Sequence, residues 1–183
     1  DDYGRLAEFD ALFIRDTTRV NHYTYRFAQR AESEGLVVMD DPLSIVRCSN
    51  KVYLAELLTR HKVPVPKSLV IHKGQALDIA AELGFPMVLK KPDSAFSVGV
   101  VKAHDAEDLK HKLAEFFAES DLLVVQAYLP TTFDWRIGVL DRQPLFACKY
   151  FMAAGHWQII QNERKGAGRY GKFETMAIGD APE

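Results

Sequence analysis

Cysteine is scarce in this chain: Cys48 and Cys148 are the only two among 183 residues, and they lie far apart. That excludes the disulfide framework of a small secreted domain, and both thiols are expected to be reduced, small core residues. No apolar run approaches the length of a membrane span and no signal segment stands at the start, so the expected location is the cytoplasm, with no membrane partner. An excess of positive charge is missing as well. Lys and Arg number 23 against 25 Asp and Glu, for a formal net charge of −2. No global attraction to nucleic acid or to an acidic membrane surface follows from that balance. The six histidines form no pair at metal-ligand spacing, and neither a Walker loop nor G-x-S-x-G occurs. A zinc or di-iron site and a serine nucleophile therefore have no local support. Repeats and low-complexity tracts are absent too.

What is present suits one globular domain or two small ones: 48% hydrophobic residues, with 11 Phe. Ala11 to Arg15 reads as a short strand, Asn21 to Glu34 as a helix ended by Gly35, and Leu36 to Met39 as a strand stopped by Asp40, Asp41 and Pro42. A strand, helix, strand unit of this kind builds a parallel sheet. Arg15 to Thr18 lie at the carboxyl end of its first strand, where open α/β sheets bind ligands, although a solvated turn is the commoner reading of such residues. The chain opens on Asp1 and closes soon after a glycine-rich loop, which reads as a fragment of something longer.

Asn50 is an N-cap for a helix from Lys51 to His61, and Val63 to Pro66 breaks it. Lys51 thus sits in a first helical turn, where a cation opposes the helix dipole by roughly 0.3 to 1 kcal/mol and a bound anion is favoured. Either it points into water or it meets a phosphate, and Arg47 carries the same two readings. Ser68 to His72 is a strand and Gln75 to Leu83 a helix. Then comes Met87 to Val100, MVLKKPDSAFSVGV, a strand, a small-residue loop and a second strand. Side chains alternate along a strand, so Lys90 and Lys91 must point to opposite faces, and one of them turns toward whatever the sheet covers. Backbone N–H groups of Pro92 to Ser97 could close over an anion that the inward lysine complements. An ordinary hairpin with solvated lysines at its rim is the competing reading.

The remainder supplies a helix from about Asp105 to Glu119 with one apolar face, and Leu122 to Gln126, whose unbroken apolar run predicts a central strand buried on both sides. Asp134 to Leu140 is a strand with Asp134, Arg136 and Gly138 on a polar face and Trp135, Ile137 and Val139 on a core face. After a turn at 141–143, Leu145 to Met152 is a strand in which Lys149 shares an apolar face, reaching either the sheet edge or an anion. His156 to Gln161 is expected as a last strand. Arg164 to Lys172, RKGAGRYGK, is a basic loop of a kind that is usually mobile surface but can also close over a polyphosphate or bind RNA.

Four segments in order, RCSNKVYLAELLTRHKVPVP, VLKKPDSAFSVGV, LLVVQAYLP and FDWRIGVL running on to LFACKYF, resemble the ATP-grasp superfamily. The similarity is to RimK-like carboxylate-amine ligases with a glutathione synthetase-like ATP-binding domain. It implies an α+β and α/β chain with an ATP-grasp fold, two α+β subdomains clamping ATP, preceded by the end of an α/β domain. The divisions expected are 1–45 for that preceding domain, 46–126 for the first subdomain and its linking helix, and 127–183 for the start of the second. Lys51 and Lys90 would hold the α and β phosphates under a loop containing Ser94 and Ser97. Gln126, Ala127, Tyr128 and Leu129 would be the hinge, with backbone groups of Ala127 and Leu129 at the adenine edge. Arg136 would face phosphate or acyl phosphate, and Lys149 the γ phosphate.

The implied activity is ATP-dependent ligation: a carboxylate is activated as an acyl phosphate and joined to an amine, glutamate ligation to a protein or peptide being one form. ATP and Mg2+ are the implied cofactors, with metal ligands expected beyond residue 183 and none within the chain. Partners would be the carboxylate and amine substrates, an amino acid, a peptide or a protein terminus, and a homo-oligomer is left open. Where relatives carry glycines this loop has Ser94 and Ser97, keeping only Gly99, and where they carry a hinge glutamate it has Ala127. A nucleotide-binding module without catalysis is the alternative these departures favour.

Overall fold

The computed structural model describes residues 2–75, 78–94, 97–161 and 168–182. They form two compact units, Asp1–Ala95 with Gly99–Tyr128, and Phe96–Val98 with Leu129–Glu183.

The first unit begins as expected with a parallel pair, β1 (Ala11–Phe13) beside β2 (Val37–Met39), joined through α1 (Tyr23–Ser33). Ala28 and Ala31 on α1 are fully buried. Then comes a helix that the sequence reading missed, α2 (Pro42–Ser49). Asp40-Asp41-Pro42 had the marks of a stop but acts as a start. The Asp41 carboxylate accepts from the Ser44 backbone N–H at 2.9 Å and from the Ser44 hydroxyl at 2.6 Å. Proline in the first helical turn has no N–H to lose and a backbone angle already helical. The buried stripe of α2 runs through Pro42 and Ile45, while Cys48 is exposed, contrary to the expectation of a core thiol. Helix α3 (Lys51–Arg60) follows with the cap expected, Asn50 Oδ1 accepting from the N–H groups of Val52 and Tyr53 at 3.0 Å each.

The larger sheet of this unit contains β3 (Ser68–His72), β4 (Met87–Lys90), β5 (Val100–Ala103) and β6 (Leu122–Ala127), with α4 (Ile79–Leu83) and α5 (Ala106–Phe116) in the connections. Its order is β3-β6-β4-β5 and every pairing is antiparallel. Strand β6 is central, as its apolar run predicts. Leu123 and Val125 face the same side as Met87 and Leu89 and pack with Ile71, Leu109 and Phe116 into the main core. On the opposite side Val88 and Val124 are buried as well, and α3 contacts β6.

In the second unit β7 (Phe133–Leu140) and β8 (Gln143–Phe151) form a hairpin. Asp141 and Arg142 turn it with φ of 48° and 61°, the left-handed pair that a two-residue hairpin demands. The expected strand from His156 shrinks to β9 (Ile160–Gln161), paired with β10 (Arg169–Tyr170), and an unforeseen strand, β11 (Phe173–Met176), flanks β8. Residues 164–167 of the basic loop lie outside the described residues. The expectation of one core face and one polar face on β7 also fails: Trp135 is 38% exposed, Ile137 47% and Val139 64%. Among the described residues this unit has no α-helix to lay on its three-stranded sheet, so within that sheet burial is confined to Ala147 and Cys148 of the middle strand, with Ala153 and Ile160 buried outside it.

Replacing Leu89, fully buried in the four-stranded sheet, should cost about 2 to 5 kcal/mol as Leu89→Ala. The exposed Val139→Ala should stay within about 0.5 kcal/mol, both read by urea unfolding.

Candidate functional site

Strand alternation settles the two adjacent lysines. Lys91 leaves on the α5 side of the sheet, where its ammonium lies 4.7 Å from the centre of the Phe116 ring and donates to Glu119 at 2.6 Å. It is a structural cation. Lys90 points to the other side and donates to Gln126 Oε1 at 2.7 Å. The Gln126 amide nitrogen in turn donates to Ser68 Oγ at 2.8 Å, and the Ser68 hydroxyl donates to the Pro66 carbonyl at 2.8 Å. This relay crosses three neighbouring strands and fixes where the Lys90 ammonium stands. Ser68 and Gln126 pair across β3 and β6, and Lys90 lies two positions along β4 from Val88, the partner of Gln126, on the same face, a pattern visible only once the register is known.

The second lysine comes from the start of α3. Asn50, which caps that helix, also donates from Nδ2 to Asp93 Oδ1 at 2.8 Å, and the Lys51 N–H donates to the Pro92 carbonyl at 3.0 Å. The loop after β4 is thereby fastened to the helix end. The Lys51 ammonium reaches over it to the Ser94 carbonyl and to Ser94 Oγ, the latter at 2.9 Å. Gly99 lets the loop close: its φ is +69°, and a Cβ there would stand 3.0 Å from that of Ser94.

The half-buried Lys51 ammonium titrates below the ordinary lysine value. Burial is the largest cause, the charge of Lys90 the second, and Asp93 pulls weakly the other way. Two cations therefore feel each other on one side of one sheet. The cost of keeping Lys51 charged weighs against the folded state at neutral pH and lifts as pH rises through its lowered folded value. An anion held between the two would relieve it without any change of pH.

The hinge residues divide in their duties. The side chain of Gln126 is engaged with Lys90 and Ser68, and the Ala127 N–H donates to the Lys67 carbonyl at 2.8 Å, so neither of those groups is open to a ligand. The Tyr128 ring lies under the Lys102 ammonium at 4.4 Å. Leu129, 59% exposed, belongs to the second unit with Ser97, Arg136 and Lys149. Ser97 has a left-handed backbone, φ 61°. Arg136 pairs with Cys148 and Trp135 with Lys149, which sends Arg136 and Lys149 to opposite faces of the sheet. The Lys149 ammonium stands 5.0 Å from the Phe133 ring centre and 5.2 Å from that of Trp135, with Glu174 across from it in the register. The Arg136 guanidinium lies 5.8 Å from the ring of Tyr150. In the loop after β1, Asp16 accepts from the Tyr23 hydroxyl at 2.5 Å and from the Thr17 N–H at 2.6 Å, so that carboxylate is satisfied within its own turn and held below its ordinary value by those bonds.

Residues 48–165 match the RimK-like ATP-grasp domain model. The chain is 30% identical over 134 residues to the alpha-aminoadipate–LysW ligase LysX of Sulfolobus acidocaldarius, a match covering 73% of this chain and 47% of that protein. It is 25% identical over 178 residues to the tetrahydromethanopterin:alpha-L-glutamate ligase of Methanosarcina acetivorans, covering 88% and 54%. It thus spans about half the length of these relatives. Its fold matches that of the D-alanine–D-alanine ligase of Bacillus anthracis complexed with ATP, at a TM-score of 0.68 and 20% identity over 98% of this chain and 58% of that one.

Removing the like charge should free Lys51: in Lys90→Met its titration, followed by NMR of labelled lysine side chains, should move up toward the ordinary lysine value. Inorganic tripolyphosphate should move it the same way in the unaltered chain, and no movement in either case would mean that the two ammonium groups are not coupled.

Proposed function

The chain belongs to the RimK-like ATP-grasp family, and from that premise we propose that the protein is an ATP-dependent ligase that activates a carboxylate as an acyl phosphate and joins it to an amine. The observation that carries this reading is the coupled pair Lys51 and Lys90 on one side of the four-stranded sheet, with Ser94 accepting from Lys51 and Gln126 accepting from Lys90. A polyphosphate is the ligand that takes both. The relatives named above are ligases that join a carboxylate to an amine, and one of the matching folds was solved with ATP.

In this reading Lys51 and Lys90 hold the α and β phosphates under the loop of Ser94 and Ser97. The Ala127 carbonyl, Tyr128 and Leu129 border the adenine, while Gln126 keeps Lys90 in place. Because Arg136 and Lys149 leave β7 and β8 on opposite faces, we assign the transferring phosphoryl group to Arg136. Lys149 already rests over two rings. The chemistry is positioning and electrostatic stabilisation of charge on that group, after which the amine displaces phosphate from the activated carboxylate. The carboxylate and amine are an amino acid, a peptide or a protein terminus. Residues 1–45 supply the end of a preceding α/β domain, 46–126 the first nucleotide-clamping subdomain and 127–183 the start of the second.

Magnesium accompanies nucleotide phosphates in such chemistry. Among the described residues no group of three or more His, Cys, Asp or Glu could hold a metal, so no ligand for it is assigned within this chain. No helix among them is long and apolar enough to cross a membrane, and the proposed setting is the cytoplasm.

Calorimetric titration of ADP, with and without magnesium, should show saturable binding that falls at least about tenfold in Lys90→Ala and less steeply in Gln126→Leu, which leaves the charge but loosens its position. With the full-length protein, ADP release should depend on an amine acceptor. Release indifferent to every amino acid or peptide supplied would sink the ligase reading.

A further inference from the structure

The hydrogen bonds that link Pro66, Ser68, Gln126 and Lys90 can run in one direction only. An ammonium donates and never accepts, so the Gln126 amide has to present its oxygen to Lys90, 2.7 Å away. Its nitrogen is thereby turned to Ser68 Oγ at 2.8 Å, which must accept. At the far end the Pro66 carbonyl, 2.8 Å from the same hydroxyl, has no proton to give, so the one proton of Ser68 is spent there. Between a group that only donates and a group that only accepts, position 68 must accept on one side and donate on the other. A hydroxyl does both with one atom.

The placement is as restrictive as the chemistry. Ser68 and Gln126 stand directly opposite each other in the β3–β6 register, and both are half-buried. Loss of the hydroxyl leaves the amide nitrogen without its acceptor, and the amide is then no longer held in the orientation that suits Lys90. The stretch around Ser68 is tied to the hinge a second time, through the Ala127 N–H and the Lys67 carbonyl at 2.8 Å. Residues 66–68 thus fasten the end of β6 by side chain and by backbone. In sequence Ser68 is only the uncharged first residue of a strand, and a search for cations passes over it.

We infer that Ser68 is a positioning residue of the phosphate site: its hydroxyl sets the orientation of the Gln126 amide and, through that amide, the place of the Lys90 ammonium. The inference deepens the ligase reading and rests on it for the role of Lys90 toward phosphate, whereas the direction of the relay stands on the hydrogen bonds themselves.

The test compares Ser68→Val, which puts a methyl group where the hydroxyl stood, with Ser68→Thr, which keeps the hydroxyl. In the 15N-labelled chain the side-chain amide signal of Gln126 should shift and broaden in Ser68→Val and return in Ser68→Thr. ADP affinity by calorimetry should fall at least about fivefold in Ser68→Val, with Ser68→Thr restoring it to within about twofold. A double-mutant cycle separates positioning from packing: once Gln126→Leu has removed the amide, Ser68→Val should cost less than about twofold more. Losses that multiply in the double variant would give Ser68 an ordinary packing role and overturn the inference, as would a valine variant that matches the threonine one in both readouts. Ser68→Ala takes the place of Ser68→Val should that variant fail to fold. If the unaltered chain binds no ADP, the phosphate reading is what fails, and the Gln126 amide decides the relay alone, an unchanged signal in Ser68→Val overturning it.

Discussion

Two ammonium groups held on the same side of one sheet repel, and the architecture of the first unit is arranged to keep them there. Lys51 is fixed by a helix start whose cap, Asn50, also ties down the loop after β4, and Lys90 by a hydrogen-bonded relay across three strands. Burial makes the charge on Lys51 costlier still. Perturbed cations of this kind cluster at functional sites, which is why the pair carries the proposed phosphate site. The next residue along β4 shows the contrast, because Lys91, one step on and on the other face, is absorbed by Phe116 and Glu119 into ordinary packing.

That the two lysines part to opposite faces was legible from alternation, and the Asn50 cap and the central place of β6 were legible from local rules of their own, each with a strong signal. The failures share a different character. Helix α2 was hidden because Asp-Pro ends one element and begins another with the same two residues, and only the capping bond from Ser44 decides which. Strand β11 was missed because FETM is too short to carry a period and is held by its pairing with β8. Cys48 and the face of Trp135, Ile137 and Val139 were read as buried because their residue types favour it, whereas burial depends on what covers an element. No local rule reports that.

The site divides along the same line. Residue types and spacing found the cations, while register found their supports and told them apart. Arg136 reads in sequence as part of a polar strand face and Lys149 as part of an apolar one, and the pairing of Trp135 with Lys149 puts them on opposite sides of the sheet. Lys149 then gains from two aromatic faces what an anion would otherwise supply, an attraction of about 0.5 to 1 kcal/mol for each exposed ring contact. The unusual position expected of this lysine is real, and two neighbouring rings line it.

Gln126 shows what a neutral partner does for a cation. Its amide oxygen stands 2.7 Å from the Lys90 ammonium and its nitrogen is committed to Ser68, so the orientation of the amide is set from both ends. A glutamate of the same shape would form a charge-assisted bond at that distance and hold Lys90 more tightly. It would also cancel the charge, leaving an incoming phosphate to compete with a carboxylate already in place, and it would lose the donor to Ser68. An amide instead orients the ammonium without itself cancelling the charge. Lys51 is treated alike, with a carbonyl and a hydroxyl as its hydrogen-bond acceptors and Asp93 turned to Asn50. Gln126 and Ser94 thus each hold a lysine through neutral oxygens, an arrangement unlike the ion pair of Lys91 with Glu119 on the other side of the sheet.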